Sequence, residues 1–121
     1  MMQKAMKYWQ DELGLNDWII DLRDNCPVSD FETEDAEGET SWNNVCKTAV
    51  IKLISLNEYG KRIIPYIKEQ TLIHELLHIK FGVLWESNTD LQNALLHQYI
   101  EDLAKSLYEV HKEKGGKENV N

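Results

Sequence analysis

Residues 71–80 read TLIHELLHIK, which sets two histidines, His74 and His78, four positions apart with Glu75 directly after the first. On a helix of about 100° per residue, with His74 at zero, His78 falls near 40° and one turn along, so both imidazoles leave the same face. Glu75 falls near 100° and flanks that face. Leu72, Ile73, Leu76, Leu77 and Ile79 sweep roughly 140° to 300°, the arc that buries against a sheet or another helix. Lys80 interrupts that arc near the helix end, where its stem can lie on the core while its ammonium reaches water.

The pattern is H-E-x-x-H, and its residue types suit zinc hydrolysis. Neutral imidazole nitrogens bind zinc at roughly 2.0 Å, and two of them with a third protein ligand leave one coordination position for water. The ion lowers the pKa of that water, and Glu75 is placed to take its proton and pass it to a leaving amine. The competing reading is an amphipathic helix whose histidines and glutamate simply face solvent. A third ligand separates the two. His97 lies 19 positions after His78, and Glu101 follows it by one helical turn on the same face, among Ala94, Gln98 and Ala104. In one assignment His97 binds the metal and Glu101 accepts the free ring N–H of a ligand on the first helix. In the other the two exchange roles, and an ordinary exposed ion pair is the alternative to both. His111 is read as a helix-terminus or surface residue.

These groups need elements to hold them. Met2, Ala5, Met6, Trp9 and Leu13 recur at helical spacing ahead of Gly14, which predicts a first amphipathic helix. WIIDL, residues 18–22, reads as a short strand ahead of Pro27, and FETEDAEGET as a solvated loop or hairpin tip without chemistry. VCKTAVIKLI, residues 45–54, is β-branched and the strongest strand candidate. After the LNEYGKR connection, Pro65 opens a helix running to about Phe81, with Gly82 ending it. GVLWES connects onward, with Trp85 packed in that loop or lining a surface. Thr89 and Gln92 form a T-x-x-Q capping box, and Leu91, Leu95, Leu96, Ile100, Leu103 and Leu107 carry a second long helix to about His111. Trp9 and Trp18 are read as core anchors and Trp42 as a strand-end residue near the cleft mouth.

The chain has 121 residues, enough for one domain: 1–112 as an α+β unit and 113–121 as a flexible polar tail. A net charge of −8 without a Lys/Arg cluster argues against a nucleic-acid partner. No apolar run is long enough for a membrane span or secretory signal, so a cytoplasmic protein is expected. Cys26 and Cys46 match no metal or disulfide spacing and are read as reduced thiols.

TLIHELLHIKF and HQYIEDLA together resemble the zincin metallopeptidases, in particular the minimal gluzincin-like and SprT-like proteins of bacteria and their phages. The resemblance implies a small zincin-like α+β domain, with an N-terminal helix, a short mixed or antiparallel sheet with an edge strand, an active-site helix and a C-terminal helix. It implies zinc as cofactor and a polypeptide substrate. In the gluzincin pattern a ligating glutamate stands about where His97 does, with an acidic residue one turn later; a histidine third ligand is the habit of SprT-like proteins. The strand ahead of the active-site helix would pair with an extended substrate, which places that edge at Lys47, Thr48, Ala49, Val50 and Ile51. Tyr99, Tyr59 and Tyr66 are candidates to stabilise the transition state. A different class of function, a zinc-binding interaction module without turnover, uses the same ligands.

Overall fold

The computed structural model describes residues 2–33, 35–60, 65–85 and 89–115. Its centre is strand β3, Thr48–Ile54, whose Ala49, Ile51, Leu53 and Ile54 are buried. On one side β3 pairs in parallel with β1, Ile19–Cys26, in the register Ile20 to Ala49 and Leu22 to Ile51. On the other it pairs antiparallel with β2, Gly38–Asn43, in the register Thr40 to Ile51 and Trp42 to Ala49. The sheet is mixed, in the order β1-β3-β2.

This order corrects the substrate-edge expectation. Both sides of β3 are already hydrogen-bonded, so Thr48, Ala49, Val50 and Ile51 have no free edge to offer a peptide. Lys47 lies in the β2–β3 turn, with positive φ (55°) and its ammonium paired with the Asp17 carboxylate. Asn43 closes that turn by accepting the backbone N–H of Val45 and of Cys46 on Oδ1, so the strand begins at Thr48 rather than Val45. A second correction concerns FETEDAEGET: its last three residues are not a loop but the start of edge strand β2. The strand expected at 18–22 begins at Ile19 and continues to Cys26.

Helix α1, Gln3–Glu12, buries Ala5, Met6 and Trp9. A single turn, α2 (Leu56–Tyr59), follows β3 and is capped by Ser55. Helix α3, Lys68–Lys80, crosses the sheet, and Leu72, Ile73, Leu76, Leu77 and Ile79, the arc expected to be apolar, are all at most 2% exposed. Each such side chain contributes about 1.5–3 kcal/mol of burial, so this arc anchors the helix and turns its opposite face outward. Gly82–Trp85 form a further turn, α4, where a plain connection was expected. Helix α5, Asp90–Glu113, begins with the complete Thr89–Gln92 capping box and lays Ile100 and Ala104 against the core. The expected polar tail at 113 starts on the last residue of α5, and residues 116–121 lie outside the described residues. The described residues form an α+β arrangement of five helices, a short 3-10 turn at Val28–Asp30 and a three-stranded mixed sheet.

Two side-chain contacts tie the ends of this arrangement together. The Trp9 indole N–H donates to the Glu69 carboxylate at 2.6 Å in a buried hydrogen bond that joins α1 to the start of α3. His111, expected at the surface, is half-buried: its ring lies 4.4 Å from that of Tyr8 and 5.1 Å from that of Trp9. The aromatic pair on α1 draws it inward. Cys26 is buried and Cys46 exposed, and neither is in a disulfide. Among the described residues no helix is long and apolar enough to cross a membrane.

Candidate metal centre

His74 and His78 project from the outward face of α3, one turn apart, and their Nε2 atoms are 3.1 Å from each other. Two nitrogens at 2.0–2.1 Å from a tetrahedral ion would be separated by about 3.3 Å. The pair is therefore already spaced as two ligands. Across from them, α5 supplies His97, with its ring 4.9 Å from that of His74 and 5.4 Å from that of His78. The ligand atoms of all three residues lie within 4.8 Å of one another. His97 is the exposed member of the three.

The rings are held in a metal-ready state of charge. Burial, followed by the neighbouring His97, lowers the His74 pKa to about 4. Burial and then the other two imidazoles lower that of His78 to about 3. Both are neutral at pH 7, and the 3.0 Å contact between His74 Nδ1 and Glu101 Oε2 is thus a hydrogen bond from a neutral ring N–H to a carboxylate rather than an ion pair. That bond places the His74 proton on Nδ1 and leaves the Nε2 lone pair facing the cluster. The geometry assigns the two α5 residues different places: His97 joins the nitrogen cluster, and Glu101 stands behind His74.

Glu75 is buried, 6% exposed, and its Oε1 accepts the Thr40 hydroxyl at 2.5 Å. Burial raises its pKa to about 7; the Thr40 hydrogen bond opposes that rise, and Glu39, Glu101 and Glu37 add to it. A carboxyl group poised near neutrality can both accept and return a proton.

Strand β2 makes this environment. Its Gly38, Thr40 and Trp42, two apart and so on one face, meet α3 and the start of α4 in order. A Cβ on Gly38 would stand 2.9 Å from Thr71 Cγ2 and 3.0 Å from Glu75 Cγ, so only glycine lets the strand come this close. Thr40 reaches Glu75, and the Trp42 ring stacks beside His78 at 6.4 Å. Glu37, just before the strand, accepts the Thr71 hydroxyl at 3.1 Å. An open groove of about 520 Å³ passes Glu37, Gly38, Thr71, His74, Glu75, His97 and Glu101. Sequence reasoning missed Gly38 and Thr40 and saw Trp42 only as lying near the cleft. The available signal was the G-x-T-x-W alternation, which the surrounding acidic residues obscured.

The tyrosines singled out from sequence do not face the histidines. The Tyr66 hydroxyl donates to the Ile54 carbonyl at 2.9 Å, and that of Tyr59 to Glu37 at 3.4 Å. Tyr99 is 69% exposed and lies about 200° around α5 from His97. Compared with protein-family models, with curated proteins and with solved structures, the chain matches none.

Proposed function

We propose that the protein is a zinc-dependent peptidase of zincin type. The observation that carries the reading is the convergence of three imidazole donors, from His74, His78 and His97, to within 4.8 Å beside a buried glutamate. The donor set fits zinc: three nitrogen ligands, two of them held neutral by burial, with an open groove in front. When bound, the ion would supply Lewis acidity to a water and to the scissile carbonyl. Glu75 accepts the proton of the attacking water and returns it to the leaving amine, with Thr40 fixing the carboxylate in place. Glu101 keeps His74 in the tautomer that would ligate zinc through Nε2. An extended polypeptide would pair along β2, which among the described residues is the edge strand on the side of α3, where main-chain pairing is indifferent to sequence.

A second reading, a zinc-binding interaction module without turnover, is favoured by the apolar side chains that α5 leaves in solvent: Leu91 is 71% exposed, Leu95 47% and Tyr99 69%. One comparison separates the two. Wild type, Glu75→Gln and His97→Ala are assayed for zinc by elemental analysis and for cleavage of a labelled unfolded polypeptide. The peptidase reading expects Glu75→Gln to keep its zinc and lose at least about 100-fold in turnover, and His97→Ala to lose the metal. Cleavage undiminished in Glu75→Gln would sink it. Full zinc with no cleavage by any form favours the module.

A further inference from the structure

Helix α4, which follows α3, opens on a glycine that the backbone does not require. Gly82 has no positive φ, so its conformation suits any residue, yet a Cβ there would lie 2.8 Å from Trp42 Cε2 and 3.2 Å from Trp42 Cδ1. The absent side chain is a seat for the Trp42 indole. That indole, projecting from β2 and half-buried, lies within 21° of parallel to the His78 ring, with centroids 6.4 Å apart. The seat, the indole and the imidazole therefore form one stack across β2, the end of α3 and the start of α4.

We infer that Trp42, seated on Gly82, is a positioning residue for His78, confining its imidazole to the orientation in which Nε2 faces His74 and His97. This rests on the metal reading of the three histidines. His78 is the ligand nearest the C-terminal end of α3, where the helix stops at Lys80 and the chain turns into α4. Helical geometry alone leaves a side chain there several rotamers. The indole removes those that swing the ring toward its own side, so the ordering cost is met on folding instead of on metal binding. Thr40 does the same for Glu75 from the next inward position of the strand. Edge strand β2 thus acts as a template for the reactive face of α3.

The test is a Co²⁺ titration of the full chain followed by visible absorption, with wild type, Trp42→Leu, Trp42→Phe and Gly82→Ala. The wild type should give the intense bands of a four-coordinate site. Trp42→Leu and Gly82→Ala should each weaken Co²⁺ about tenfold and shift those bands, while Trp42→Phe, which retains an aromatic face, should recover most of the affinity. Gly82→Ala keeps the indole and perturbs only its seat, so it decides the matter if Trp42→Leu has lost its native far-UV circular dichroism. Wild-type affinity and unshifted bands in a folded Gly82→Ala would overturn the inference and leave the metal centre standing. A wild type that binds no Co²⁺ would overturn the metal reading, and this inference with it.

Discussion

Burial pushes Glu75 and its neighbouring histidines in opposite directions, and the balance makes stability depend on pH. In the metal-free protein His74 and His78 have pKa values lowered from 6.5 to about 4 and about 3, while Glu75 is raised from 4.5 to about 7. Between pH 4.5 and 6.5 the unfolded chain carries a proton on each of two imidazoles that are neutral when folded, and the folded chain carries one on Glu75 that is absent when unfolded. Unfolding then takes up a net one proton, so this cluster's contribution to stability falls on acidification by about 1.4 kcal/mol per pH unit. Above 6.5 the unfolded imidazoles lose their protons while folded Glu75 loses its own near pH 7, so the two changes nearly cancel and the contribution levels off. Urea unfolding of the metal-stripped protein should show stability rising with pH and levelling off near pH 7. His78→Gln removes one of the two histidine protons and should flatten the acid slope; an unchanged slope would mean that His78 is not buried neutral. Thr40→Val should raise the Glu75 pKa further, because the hydroxyl it removes stabilises the carboxylate.

At the scale of elements, the meeting of β2 with α3 decides whether the site exists. Gly38→Ala forces a methyl group against Thr71 and Glu75, and the expected result is a loss of about 1–3 kcal/mol in denaturant unfolding, with the Thr40–Glu75 hydrogen bond lengthened. A variant as stable as wild type would show that the strand retreats at no cost. Helix α3 was legible in the sequence because its information is local: a 3.6-residue period separates Leu72, Ile73, Leu76, Leu77 and Ile79 from His74 and His78. The capping box of α5 was legible for the same reason, Thr89 and Gln92 being three residues apart. What was not legible is pairing. Nothing within residues 48–54 states which strands will flank them, although their β-branched run suits a strand enclosed on both sides. β2 escaped notice because Glu37 just before it and Glu39 within it give the stretch the charge of a loop, while its Gly38 and Thr40 meet a helix more than thirty positions away.

Over the whole molecule, the first helix and the last are joined by aromatic packing. The His111 ring sits against Tyr8 and Trp9, with its Nε2 buried and, among the described residues, lacking a hydrogen-bond partner. A buried unpaired nitrogen costs about 1–3 kcal/mol, so His111→Phe, which keeps the ring and removes that nitrogen, should unfold at the same or a higher temperature, whereas His111→Ala should lower it. A drop in His111→Phe would show that the nitrogen has a partner in solution. The sequence separations of the stabilising contacts bear on how the molecule assembles in time. The β2–β3 hairpin closes over a four-residue turn and can form in microseconds, and the helices can form within themselves. The Thr40–Glu75 contact closes a loop of 35 positions and Trp9–Glu69 one of 60, and each must meet its chain-closure entropy before it contributes. The meeting of β2 with α3 is therefore a late product of folding, and a partly folded chain, even with α3 fully helical, does not yet have Thr40 against Glu75.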